Sequence, residues 1–148
     1  MSDNSITASG VVEVVLRDAD GHIVQQFRTH NLVVQTGLEY VAGLLSFTGS
    51  PDQISHIGVG TSSVGPSGEQ TDLVSPLGDR AEWVGRSISS ASFSLTADFL
   101  AGESTGAITE CGLFNSGIAG AMICRTVFDV VNKSATNSLS ITWTISIT

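Results

Sequence analysis

Two stretches of strict alternation constrain the fold of this chain more than any other feature. Ala91, Phe93, Leu95, Ala97 and Phe99 alternate with Ser92, Ser94, Thr96 and Asp98. Leu139, Ile141, Trp143, Ile145 and Ile147 alternate in the same way with Ser140, Thr142, Thr144 and Ser146. Successive side chains of a strand point to opposite faces, so a sustained period of two predicts half-buried antiparallel strands. Their buried face is aliphatic and aromatic, and their outer face is neutral and rich in hydroxyls.

The same reading extends along the chain. Val11 to Asp18 is a predicted strand, with Val12, Val14 and Leu16 on one face and Glu13 and Arg17 on the other. His22 to Arg28 is its hairpin partner across Asp18-Ala19-Asp20-Gly21, because Asp-Gly supplies the positive φ angles that tight hairpins demand. Ile54 to Val59, Arg80 to Ser87, Ile108 to Phe114 and Ala121 to Val131 supply further strands, the last two joined around Asn115-Ser116-Gly117. One helix is predicted. Thr36-Gly37-Leu38-Glu39 matches a capping box, Leu38, Val41, Ala42 and Leu45 form an apolar stripe, and Gly49 and Pro51 end it. The stretch from Gly60 to Gly78 is rich in Gly, Ser, Thr and Pro and reads as a long surface loop of functional or mobile character.

The expected fold class is therefore all-β: an antiparallel sandwich or jelly-roll-like barrel of about eight strands with one short helix. Residues 1–10 form a flexible N-terminal arm, and residues 11–148 form a single β-sandwich domain. The predicted core contains Leu38, Val41, Leu45, Phe93, Leu95, Leu113, Phe128, Ile141, Trp143 and Ile145.

Charge narrows the partners. The net charge is −8, with only 6 Lys and Arg against 14 Asp and Glu. Nucleic-acid phosphates and anionic membranes are bound through clustered cations, so neither is an expected partner. Charged residues make up only 14% of the chain, well below the usual ~25%, which suits a surface partly covered by other proteins. The opening Met1-Ser2-Asp3-Asn4-Ser5 has neither the basic nor the apolar region of a secretory signal, so synthesis and use without signal-dependent export are expected.

Candidate chemistry is sparse. Asp18 and Asp20 suggest a calcium loop, but the twelfth position holds Thr29 and the glycine position holds Ile23. Glu103 and Glu110 are a possible glycosidase pair, set against a low aromatic content. Gly58-Val59-Gly60-Thr61 resembles part of a phosphate loop but lacks its lysine and its following helix. His22, His30 and His56 fall beside no nucleophile and in no metal-ligand pair. Cys111 and Cys124 can pair if their strands are neighbours, with free thiols the favoured state. The expectation is a protein without catalytic residues, metal or cofactor.

Several segments carry a resemblance in their order. They are Asn31-Leu32-Val33-Val34-Gln35-Thr36-Gly37-Leu38, Ile57-Gly58-Val59-Gly60-Thr61, Leu77-Gly78-Asp79-Arg80, Ile108-Thr109-Glu110-Cys111-Gly112-Leu113-Phe114-Asn115, Met122-Ile123-Cys124-Arg125-Thr126-Val127-Phe128, and the closing Leu139-Ser140-Ile141-Thr142-Trp143-Thr144-Ile145. Over roughly residues 31–147 this order resembles small structural virion proteins of tailed bacteriophages. Ser62 stands where such proteins tend to carry another glycine, and Cys111 where a small or apolar residue is common.

The resemblance implies a non-enzymatic β-protein made in the host cytoplasm and resident in the virion. The favoured expectation is a capsid decoration (cement) protein on the outside of the head, bound to the major capsid protein or other virion proteins. It would be a homodimer or homotrimer. A tail, baseplate or tail-fibre-associated protein is the alternative, and a carbohydrate-binding module at a tail tip a third. The expected contact segments are the arm, with Ser2, Asp3 and Asn4, and the long loop, with Ser62, Val64, Pro66, Glu69 and Asp72. Any open sheet edge joins them.

Overall fold

The computed structural model describes residues 5–46 and 52–148. Ser2, Asp3, Asn4, Gly49 and Pro51 lie outside the described residues, so neither the tip of the arm nor the helix stop is placed. The described chain forms nine strands and one helix. In chain order these are β1 (Ala8–Arg17), β2 (Ile23–His30), β3 (Leu32–Val33), α1 (Gln35–Ser46), β4 (His56–Gly60), β5 (Ala81–Ser89), β6 (Ser92–Phe99), β7 (Gly106–Phe114), β8 (Met122–Lys133) and β9 (Ser138–Ile147). The all-β class with one short helix holds. The strand count is one higher than expected because two-residue β3 is too short to leave a pattern in the sequence. No helix among the described residues is long and apolar enough to cross a membrane.

All pairings are antiparallel, and the strands run β2-β1-β9-β6-β5-β4-β7-β8-β3 in one sheet that curls into a nearly closed barrel. The two alternating stretches become neighbours: β6 and β9 pair from Ser92↔Ser146 to Phe99↔Leu139, so their apolar faces meet the same core. Val12, Val14, Leu95, Ala97, Leu113, Ile141 and Trp143 are all buried there. Each large aliphatic or aromatic side chain removed from water contributes roughly 1.5–3 kcal/mol. Trp143 meets its polar obligation through Nε1, which donates to Asn31 Oδ1 at 2.8 Å.

Three expectations need correction. The arm ends earlier than residue 10, because Ala8, Ser9 and Gly10 already pair with Ile147, Ser146 and Ile145 of β9. The capping box does not form: Thr36 lies inside α1 and its hydroxyl donates to the Met122 carbonyl instead. The predicted helix stripe is also rotated. Leu38 is 49% exposed and Leu45 71% exposed, whereas Gly37 and Tyr40 are buried and Val41 packs partly against the core. The cause is Gly37. A Cβ there would collide with the Ile123 carbonyl, so the helix rests its bare backbone on β8 and turns Leu38 and Leu45 outward.

Candidate functional site

The long loop, expected as a functional or mobile surface segment, is held against the sheet. Gly58 and Gly60 of β4 and Gly112 of β7 project from the outer face of the sheet, with Gly58 opposite Gly112 and Gly60 opposite Glu110. Without side chains they leave a trough. A Cβ at Gly60 would strike both the Glu110 carboxylate and the Ser75 carbonyl, so the glycine is what lets the loop lie flush. The residual phosphate-loop pattern is thus a strand whose glycines make room for the chain's own loop.

Glu110 and Arg125 fasten it. Both are fully buried, and Arg125 Nη2 and Nε meet Glu110 Oε2 at 2.7 and 2.9 Å. The carboxylate also accepts from the Ser75 and Val74 amides at 2.7 and 3.2 Å. The remaining guanidinium nitrogen donates to the Val64 carbonyl and to Gln70 Oε1. A buried ion pair is costly unless its remaining valences are filled. Here loop backbone and Gln70 fill them. Below it, Val34, Leu73, Phe114 and Met122 form a second small core. Arg80 stacks 3.5 Å from the Phe114 ring centroid and donates to the Ser116 and Ala119 carbonyls.

Of the expected contact residues, Ser62 accepts at its carbonyl from Thr109 Oγ1, and Val64 is exposed but anchored through its carbonyl. Pro66 is half-buried and Glu69 exposed. Asp72 Oδ1 caps the Leu73 amide and faces Arg80 Nη2 at 3.4 Å. The loop therefore presents a fixed surface.

The other chemical candidates are placed as follows. Glu103 accepts from the Leu100 amide in a turn, while Glu110 is committed to Arg125, so the two acids do not face each other across a cleft. Asp18 accepts from the Asp20 and His22 amides, and the expected hairpin forms, although only Gly21, at φ 85°, takes a positive φ and Asp20 does not. Asp18, Asp20 and His22 lie close together on the surface as a consequence of that turn. His30 ends β2, and His56 shares a 2.7 Å hydrogen bond with Ser55. Cys111 and Cys124 are free, buried thiols on neighbouring strands, each opposite a different residue, Thr126 and Leu113 respectively. Burial pushes the Cys124 thiol up to about 12, against the opposing pull of Asn31, and raises Cys111 well above the ordinary range.

What the fold leaves open lies at β5. Its start pairs with β4 only at Ala81 and Glu82, and Trp83 donates to the Ser55 carbonyl. Beyond that point β5 continues to Ser89 with β6 on one side and, among the described residues, no strand on the other. Beside this bare edge runs an apolar groove of about 470 Å³, lined by Tyr40, Leu44, Ile54, Ile88 and Phe93. Ile88 is 82% exposed, and Leu44 and Val84 are exposed nearby. The signal for this site was in the sequence, since Trp83-Val84 and Ile88 interrupt an otherwise polar stretch. That β5 continues beyond its short pairing with β4 was not legible there.

The outer face of the same sheet is lined with paired hydroxyls. Ser92 meets Ser146, Ser94 meets Thr144 and Thr96 meets Thr142 at 2.7–2.9 Å, and Ser140 donates to Asp98 at 2.7 Å. Hydroxyls that satisfy one another have less to lose on being covered than groups that depend on water. This face and the β5 edge are continuous, through Ser87↔Ser94 and Ser89↔Ser92. No family model matches the chain, and neither a curated protein nor a solved structure does.

Proposed function

We propose that this chain is a structural subunit of a tailed-phage particle, acting through self-association and packing on other proteins, and most specifically a decoration protein on the outside of the head. The observation that carries this reading is the bare β5 edge with its apolar groove, adjoining a neutral hydroxyl face. Such a surface suits burial against protein, because the edge offers unpaired backbone groups and the face is cheap to desolvate. The ordered motifs of the sequence supply the particle. The net charge of −8 favours the outer side of the shell, since the inner side of a filled head faces DNA. A protein that binds only the assembled lattice stabilises it by mass action.

The test is a count of copies per purified particle against the major shell protein. An abundance comparable to that protein is expected. A few rings' worth would move the protein to the tail or baseplate, and absence from the particle would overturn the structural reading.

A further inference from the structure

We infer that two copies of this chain join through the open edges of β5, in an antiparallel register that sets Ser87 against Ser87, Arg86 against Ile88 and Gly85 against Ser89. The inference rests on the reading of this surface as a self-association site and names the strand that performs it.

The edge is bare in a way that the other edges are not. Native edge strands are blunted by prolines, by charge, by shortness or by a covering element. β3 has two residues. β2 is long, but its free side faces β8, where Phe27 and Phe128 meet with ring centroids 5.3 Å apart and Gln25 Nε2 reaches the Val130 carbonyl at 3.4 Å. The segment Gly85-Arg86-Ser87-Ile88-Ser89 has no proline and one charge, and no strand among the described residues pairs with its free side.

Its chemistry selects a second copy and a register. Ser87 and Ser89 lie on the hydroxyl face, opposite Ser94 and Ser92, whereas Arg86 and Ile88 lie on the groove face, opposite Leu95 and Phe93. A two-fold axis perpendicular to the sheet must pair residues of the same face, since directly opposed side chains share a face. An axis at Arg86 would oppose two guanidinium groups. An axis at Ser87 opposes two hydroxyls and lays the aliphatic stem of Arg86 beside the partner's Ile88. Arg86 is already held on the groove side by Gln53, to which Nη1 donates at 2.9 Å. Pairing at Ser87 thus extends both the hydroxyl ladder and the apolar groove across two copies, without like charges in contact.

Sedimentation of the full chain over a concentration series is the test, with amide exchange as the local readout. A reversible dimer is expected, with slowed exchange at 85–89 as it forms. Ile88→Lys weakens it by at least about tenfold, as expected for loss of a central apolar contact. Ile118→Lys, at a side chain 86% exposed in the loop between β7 and β8, leaves it unchanged. Because both positions are exposed, both variants keep the native circular dichroism. A monomer at every concentration, a dimer with unprotected 85–89, or a dimer indifferent to Ile88→Lys overturns the inference. A monomer matching the shell protein in copy number would sink the β5 pairing while sparing decoration. A dimer missing from particles would do the reverse.

Discussion

At the scale of single residues, the pair Glu110 and Arg125 matters most, because it converts a long polar loop into part of the fold. Replacing one member leaves the other buried and uncompensated. Glu110→Gln keeps the shape of the side chain but strands a guanidinium that is fully buried. The expected cost is about 3–5 kcal/mol, read as a lower urea midpoint. Adding Arg125→Met removes the stranded charge, so the double variant loses less than the two single changes combined. Additive losses would mean that the two side chains act independently. The sequence disclosed both residues, and Glu110 even drew notice as a possible catalytic acid. It could not disclose that they meet, because the contact needs β7 and β8 in register and a glycine trough above them. The core register was different: Leu95, Leu113, Ile141 and Trp143 are buried as expected, since alternation fixes the face of a strand directly.

Elements were legible in proportion to their periodicity. The hairpin at Asp18–Gly21 and the strands β6 and β9 follow from turn chemistry and period two, both local signals. The helix was recognised, but its inward face was not. Hydrophobic spacing alone points to Leu38 and Leu45, whereas the packing is decided by what can approach β8 closely, and that is Gly37. Two substitutions separate the accounts. Gly37→Ala improves intrinsic helix propensity by ~1 kcal/mol yet is expected to destabilise the protein, by about 2 kcal/mol, because the helix must lift from the Ile123 carbonyl. Leu45→Ala, at a side chain 71% exposed, should change stability by no more than about 0.5 kcal/mol. Thermal unfolding of the two variants decides the matter. A large loss at Leu45 with none at Gly37 would restore the stripe as the packing face.

For the whole molecule, the decisive feature is a barrel whose hydrogen bonding does not quite close. Eight interfaces between neighbouring strands are laddered, and between β2 and β8 the seam is held by side chains. Phe27 tilts against Phe128, Gln25 reaches Val130, and Thr126 Oγ1 donates to the His30 carbonyl at 2.8 Å. The bulge in β8 opposite Ile108 and Glu110 keeps that strand from offering β2 a regular edge. Sequence patterns report pairs of strands well but say little about which two ends meet, so the closure was not visible beforehand. The seam should therefore be the place where the native barrel opens most easily. Phe128→Ala removes its apolar bolt and leaves every backbone ladder intact. Because both rings are only half-buried, the expected global loss is about 2 kcal/mol, below the ~3–5 kcal/mol of a fully buried phenylalanine. The local effect should be larger than the global one. Amide exchange in β2 should accelerate well before that in β6 and β9, whose ladder is separated from the seam by β1. Uniform acceleration across all nine strands would mean that the seam is an integral part of one cooperative barrel. Selective acceleration in β2 would identify that strand as a flap that opens while the rest of the barrel, with its exposed β5 edge, stays assembled.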